Sequence, residues 1–232
     1  VYDARRRIAE SPGTLLVTSG DGRLDLEGEG FTWWQTNNDM VISNQVRTRV
    51  RRPESVGGVS DPMGGQDLRV TSDLFRFNYR SNLIVYSGNV RVEDPRVRMS
   101  SGRLTIVPSA EGGIDRMVAE EDVRIVDLST GGETTARKAV YQVDGQRETV
   151  ELSGNPRYRE GVREGTADRF VLDRRRDALE AVGNARLVFP IGGQGSLGLL
   201  SIPGPGPKLR EGATNRLRSE EHTSELQSRQ VS

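Results

Sequence analysis

The chain has 232 residues and a formal net charge of zero, and 34% of its residues are hydrophobic while 5% are aromatic. So little apolar material excludes a thick multilayer globule and predicts a thin structure, one apolar layer deep. The balance of acidic and basic residues argues against a nucleic-acid partner. The lack of cysteine excludes disulfides, thiolate metal sites and cysteine nucleophiles.

The N-terminal segment, residues 1–17, carries the weakest signal. Residues 4–10 have a helix-friendly composition, and the same residues fit a frayed end equally well. The chain begins at Val1 rather than at methionine, which leaves room for a signal peptide or an inner-membrane anchor before it. No apolar run in the sequence approaches the roughly 20 residues that a membrane-spanning helix needs.

Five short segments share one pattern: a small or polar pair, then Asn, Asp or Gln, then a small or apolar residue, then Arg. They are residues 43–50, 87–94, 120–127, 153–160 and 182–189. Apolar residues alternate around each segment, as Ile84, Tyr86, Val90 and Val92 do around the second. An alternation of period two predicts strands with one buried face and one wet face.

Each of these strands follows another short alternating run, and a turn-like stretch separates the two in most cases. The stretches are residues 35–39, 79–82, 144–147 and 173–177. Their Asn, Asp and Gly residues suit tight turns. The predicted unit is therefore strand, turn and strand, followed by a kink at which Gly88, Gly154 and Gly183 mark bulges in the sheet.

Composition shifts divide the chain further. The repeats occupy residues 18–52 and 68–190, separated by a Gly/Pro loop at 53–67. Residues 191–217 form a Gly/Pro-rich tail that we expect to be disordered. Residues 218–232 resemble the in-frame translation of a sequencing adapter, with a natural polar tail as the alternative. That segment contains His222, the one histidine of the chain. If the segment is an adapter translation, histidine-based catalysis and metal binding are therefore excluded.

The repeats resemble the OstA-like family of periplasmic lipopolysaccharide-transport proteins. Residues 68–190 are similar to LptA-type repeats, above all at 86–92 (YSGNVRV) and 150–155 (VELSGN), whereas residues 18–52 look more like LptC. The resemblance implies an all-β fold, an elongated antiparallel β-jelly-roll (β-taco) built from strand–turn–strand repeats. It also implies a periplasmic protein whose apolar groove shields the acyl chains of lipid A and which bridges the inner and outer membranes through end-to-end strand pairing. The implied partners are lipopolysaccharide and other transport proteins, or further copies of the same chain.

The inward-facing apolar residues are the candidate groove lining. The alternative is that they fill a closed core, which would make the chain a structural or adhesive β-repeat protein without lipid cargo. The candidates are Ile42, Val46, Phe75, Phe77, Tyr79, Ile84, Tyr86, Val90, Val92, Ile106, Met117, Val123, Ile125, Tyr141, Val143, Val150, Leu152, Tyr158, Phe170, Leu172, Leu187 and Phe189.

No enzymatic constellation stands out, and we predict no catalytic residue, no metal and no cofactor. Carboxylates abound but nothing pairs them across a cleft, and a carbohydrate-active enzyme on a β-repeat scaffold is the weakest alternative. The arginine of each repeat faces outward. Such a ladder either attracts phosphates or, as acidic neighbours favour, makes cross-strand pairs; it comprises Arg47, Arg91, Arg124, Arg157 and Arg186.

Overall fold

The structure, a computed structural model, describes residues 1–51, 67–109, 114–145, 147–173, 176 and 178–188. Phe189, the tail at 191–217, the adapter-like segment and almost all of the loop at 53–67 lie outside the described residues. Within the described ranges every regular element is a β-strand. The predicted all-β class is therefore confirmed.

The strands form a single antiparallel sheet of 16 strands, in which most consecutive strands are neighbours. The first eight are β1 (Tyr2–Asp3), β2 (Ile8–Thr18), β3 (Leu24–Trp34), β4 (Asp39–Val50), β5 (Leu68–Ser72), β6 (Leu74–Asn78), β7 (Leu83–Glu93) and β8 (Val97–Pro108). The others are β9 (Ile114–Asp127), β10 (Glu133–Asp144), β11 (Arg147–Ser153), β12 (Arg157–Glu160), β13 (Arg163–Thr166), β14 (Arg169–Asp173), β15 (Ala178–Val182) and β16 (Arg186–Val188).

The N-terminal segment is neither helical nor unpaired, so both interpretations of residues 4–10 are wrong. Residues 4–7 form a turn, and β2 pairs with β3 from Ile8 to Thr18. The register shifts between Ser11 and Thr14, around Pro12 and Gly13. Proline is compatible with this position because β2 lies near the sheet edge, where its far side pairs only with the two-residue β1.

The two sides of the loop at 53–67 belong to one sheet. β4 pairs through residues 46–50 with β5 and through residues 39–42 with β6. Apolar residues from β3 and β4 lie in the same buried cluster as those of β5 to β11 and β14. The repeats before and after the loop therefore share one core.

Every long strand changes its pairing near its middle. The pairing of β7 with β8 shifts register between Ser87 and Val90. A single residue separates the end of β5 from the start of β6. We call the part that contains β6 the front half-sheet and the part that contains β5 the back half-sheet. Phe75 belongs to the front and Val70 to the back, yet both lie in one buried cluster, so the sheet folds along its line of bends with its apolar face inside.

The repeated Gly-Asn pair makes these bends. Gly88 and Asn89 both have positive φ (75° and 47°), and Gly154/Asn155 and Gly183/Asn184 do the same. Glycine adopts this conformation freely and asparagine tolerates it better than other side chains. The side chain of Asn89 also donates to Asp73 Oδ2 across the bend at 2.8 Å. The predicted bulges at these glycines are thus places where the sheet folds over.

The pattern recurs with an aspartate 16 residues before the asparagine. Asn184 Nδ2 donates to Asp168 Oδ2 at 2.9 Å, and the backbone N–H of Asp168 donates to the carbonyl of Gly183 at 2.9 Å. In the third repeat Glu121 and Asp122 take the two positive-φ positions. There the glycine is on the neighbouring strand, where a Cβ on Gly102 would collide with the side chain of Glu121. A close approach of two strands at the bend needs one glycine, on either strand.

Candidate functional site: the inner face and its rim

The inner face of the front half-sheet consists of two parallel rows that cross ten strands. In the deep row, next to the bends, each residue pairs directly with the next; its members are Phe31, Ile42, Phe75, Tyr86, Leu104, Ala119, Ala139, Leu152, Phe170 and Ala181. From Ile42 to Phe170 all its members are buried. This row is packed core in the described structure.

The second row lies two residues further from the bends, towards the turns, and we call it the rim row. It comprises Trp33, Met40, Phe77, Ile84, Ile106, Met117, Tyr141, Val150, Leu172 and Leu179. Its central stretch, from Phe77 to Tyr141, is only half-buried although it packs against the core. An unbroken line of half-exposed apolar side chains on an inner face offers a place where alkyl chains can lie.

The back half-sheet presents a matching row that is buried almost throughout. It comprises Leu26, Thr48, Val70, Val92, Met99, Ile125, Thr134 and Tyr158. A hydrogen bond from Tyr86 Oη to Thr48 Oγ1 (3.0 Å) joins the deep row of the front to this row. Burial raises the pKa of Tyr86 to about 12, since the phenolate would have to form in the apolar interior. The two half-sheets are therefore in contact along the fold.

Most of the predicted lining residues lie on this inner face. Ile42, Phe75, Tyr86, Leu152 and Phe170 are in the deep row. The rim row contains Phe77, Ile84, Ile106, Met117, Tyr141, Val150 and Leu172. On the back half-sheet lie Val46, Val90, Val92, Val123, Ile125 and Tyr158, all buried.

Three of the predicted residues lie outside these rows. Tyr79 is in the turn after β6 and is 56% exposed, although its ring contacts Phe77 with centroids 4.5 Å apart. Leu187 is 41% exposed because β16 pairs only with β13. Val143 is half-buried beyond the rim row, opposite Glu148. Phe189 lies outside the described residues.

Several inner residues escape the sequence pattern. Val70 and Met99 occupy the centre of the back row, on strands that lack the repeat motif. Their signal was the alternation of Leu68, Val70 and Ser72 and of Val97 and Met99. Thr134 is buried as well, although a pattern of apolar residues does not predict burial of a threonine.

Trp33 brings a polar atom to the rim row. It packs against the core while its indole Nε1 is buried and, within the described structure, lacks a hydrogen-bond acceptor. Trp34, on the opposite face of β3, is also half-buried. A buried donor without a partner is uncommon in folded proteins.

The arginines of the repeats face outward as predicted, and only one of them makes an ion pair with a described residue. Arg124 donates to the two carboxylate oxygens of Glu133 from Nε and Nη2, at 2.7 and 2.8 Å. This pair lowers the pKa of Glu133, chiefly through the hydrogen bond from Arg124. Arg47, Arg91, Arg157 and Arg186 have no such partner among the described residues, so cross-strand pairing accounts for one arginine of the ladder.

The described ranges hold neither a metal cluster nor a membrane helix. No group of three or more His, Cys, Asp or Glu residues there is placed to bind a metal ion. No helix in that part of the chain is long and apolar enough to cross a membrane.

Comparison with known proteins gives a family match and likenesses to solved structures. Residues 69–178 match the family model described as LptA/(LptD N-terminal domain) LPS transport protein. The crystal structure of LptH, the LptA homologous periplasmic component of the lipopolysaccharide transport device of Pseudomonas aeruginosa, superposes with a TM-score of 0.47 at 15% identity. That match covers 56% of this chain and 99% of LptH. No curated protein matches the chain.

The matched residues run from β5 to the start of β15 and therefore contain most of the inner face and three of the repeats. The resemblance seen in the repeat motifs and the family match concern the same strands. Residues 69–178, a little less than half of the chain, therefore resemble the LptA/LptD N-terminal domain family of lipopolysaccharide-transport proteins.

Proposed function

We propose that this chain works in the periplasm and carries lipopolysaccharide by holding its acyl chains on the inner face along the rim row. The observation that carries the proposal is the unbroken line of half-exposed apolar side chains from Phe77 to Tyr141. Burial of an alkyl chain there gains on the order of 0.8 kcal/mol for each CH₂ group. The match to a family of lipopolysaccharide-transport proteins supports the same assignment.

The deep row and the back row are already buried, so acyl chains must enter from the rim. Each chain that moves deeper has to separate the two half-sheets, beginning with the hydrogen bond between Tyr86 and Thr48. The lining therefore has a half-exposed entrance and a closed interior.

The bridging role rests on the ends of the sheet. Residues 11–18 of β2 have no strand on the side away from β3, and β15 has none on the side away from β14, within the described residues. Free edges accept strands from other chains. We propose that end-to-end pairing uses these two edges. The strands of the LptC-like part and those of the LptA-like part lie in one sheet, so the sheet itself marks no boundary between them. That boundary stays a prediction.

Photo-crosslinking tests the lipid site directly. A benzophenone residue replaces Ile106, which is half-buried in the rim row, and in a matched variant it replaces Arg103, which is exposed on the outer face of the same strand. Purified lipopolysaccharide is added before irradiation. We expect an adduct from position 106 and none from position 103.

A structural repeat protein with a closed core is the second candidate, and the burial of the deep and back rows favours it. It predicts no adduct at either position in a protein whose circular dichroism is that of a folded β-sheet. Equal adducts at both positions would indicate adhesion of lipid to the surface, and that result too would refute the rim site.

A further inference from the structure

The outer surface of the back half-sheet has a cleft on the face opposite the inner apolar rows. Its volume is about 570 Å³, and it lies over strands β2 to β5 and β7. Its walls include Arg47, Arg49, Arg69 and Arg91, all exposed, and Thr71 lies between Arg47 and Arg91 in the strand register. Four arginines therefore line one concavity.

The register makes this concentration of charge costly. Arg49 on β4 stands directly opposite Arg69 on β5. Like charges in that position destabilise a sheet. The two arginines of the repeat motif, Arg47 and Arg91, lie directly opposite Thr71 on the two neighbouring strands. Two strand spacings separate their backbones by about 10 Å.

The acids near the cleft do not neutralise it. Asp25 Oδ2 accepts from Arg51 at 2.6 Å, and Glu93 Oε1 accepts from Arg98 at 3.1 Å. Arg49 is paired with Asp67. Glu27 is the one acid lining the cleft that lacks an ion pair among the described residues.

The three remaining arginines outnumber that acid. Arg47, Arg69 and Arg91 make no ion pair or hydrogen bond with a side chain in the described ranges. Guanidinium groups match phosphate oxygens in a bidentate geometry better than any other side chain does. The cleft thus has an excess of positive charge in the form that phosphate recognition uses.

The size and the other walls point to more than a bare anion. A volume of about 570 Å³ is in the range of pockets for small organic ligands and far exceeds one phosphate group. Leu16, 68% exposed, offers an apolar wall for the face of a sugar ring, and Thr71 and Glu27 offer hydrogen-bond partners for hydroxyl groups. We infer that this outer cleft binds a phosphorylated saccharide, with Arg47, Arg69 and Arg91 holding the phosphate.

The test uses the full chain labelled with ¹⁵N and follows the arginine Nε–Hε signals during titration with glucose 1-phosphate. Glucose and inorganic phosphate are titrated separately. We expect glucose 1-phosphate to shift the signals of Arg47, Arg69 and Arg91, and its binding to weaken as salt is added. Glucose should cause no shift, and inorganic phosphate should bind at least several-fold more weakly.

Variants separate the cleft from a general attraction to arginine. R47Q and R91Q each remove one charge-assisted hydrogen-bonding group, and we expect about a tenfold weakening or more. R157Q is the matched control, because Arg157 occupies the same position of its repeat and also lies between two threonines, Thr135 and Thr166, but it does not line the cleft. It should leave the affinity unchanged.

Three results would overturn the inference. These are an absence of shifts in the folded protein, an equal weakening by R157Q, and equal affinity for inorganic phosphate. Glucose 1-phosphate has no acyl chain, so none of these results depends on the rim row. The crosslink at position 106 likewise does not depend on the cleft, and either site can fail without the other.

Discussion

The bend at Gly88 gives the sharpest test of how the repeat makes the fold. Replacing Gly88 by alanine places a Cβ at a residue with φ of 75°, which costs about 1–2 kcal/mol for a residue with a side chain. The new methyl group would also lie 2.5 Å from Asp73 Oδ2 and 3.0 Å from Asp73 Cβ. Asp73 must then move and weaken its bond from Asn89, at a further cost of about 1 kcal/mol.

A matched glycine separates the two costs. Gly131 has nearly the same φ, 73°, but a Cβ there would meet nothing within 4 Å. We therefore expect G131A to reduce the free energy of unfolding by about 1–2 kcal/mol and G88A by about 2–3 kcal/mol. The difference between the two variants measures the close approach at the bend.

Urea unfolding followed by the fluorescence of Trp33 and Trp34 measures both variants. A double variant, D73A/G88A, removes the carboxylate that the new methyl group meets and should recover part of the loss, which a double-mutant cycle quantifies. Equal destabilisation by G88A and G131A, with no recovery in the double variant, would refute the role assigned to the Gly-Asn pair.

Three further changes test other parts of the sheet by urea unfolding. Asp39 is buried and accepts from Arg76 at 2.5 Å, which holds the pKa of this carboxyl below its usual range. The carboxylate therefore stabilises the fold above pH about 4. We expect D39N to reduce the free energy of unfolding there by about 1–2 kcal/mol, and this difference should vanish as the pH falls through the lowered pKa. Y86F removes the hydrogen bond to Thr48 and should cost about 1 kcal/mol; a loss below about 0.3 kcal/mol would contradict that bond. R124Q breaks an exposed pair and should cost less than about 1 kcal/mol.

The strands and the bends could be predicted from the sequence because two of its signals are local, whereas the jelly-roll was implied only by the family resemblance. Alternation around Ile84 to Val92 assigns strand and face together, and the Gly-Asn pair marks the bend within the same segment. Both signals depend on backbone geometry within a few residues. The pattern failed at β2, where Pro12 and Gly13 interrupt the alternation, although an edge strand tolerates them.

The degree of burial of each inner-face residue could not be predicted from the alternating pattern. Ile106 and Leu104 belong to the same alternating pattern on one strand. Ile106 is nevertheless half-buried, whereas Leu104 is 1% exposed because it lies nearer the bend. Whether a residue belongs to the rim or the deep row depends on its distance from the fold line. The outer cleft was missed for a related reason: Arg49 meets Arg69 only through the register of two strands on either side of a long loop.

The proposed groove and a closed core are not mutually exclusive, since both would use the same inner face. The deep and back rows bury each other in the described structure, and an acyl chain between them would replace protein–protein packing by protein–lipid packing of the same apolar kind. The net change in apolar burial comes from the lipid, at about 0.8 kcal/mol for each CH₂ group. The polar interaction that must break is the hydrogen bond between Tyr86 and Thr48, worth about 1 kcal/mol. An acyl chain of about a dozen carbons offsets that cost several times over, so the closed interior is compatible with lipid entry from the rim.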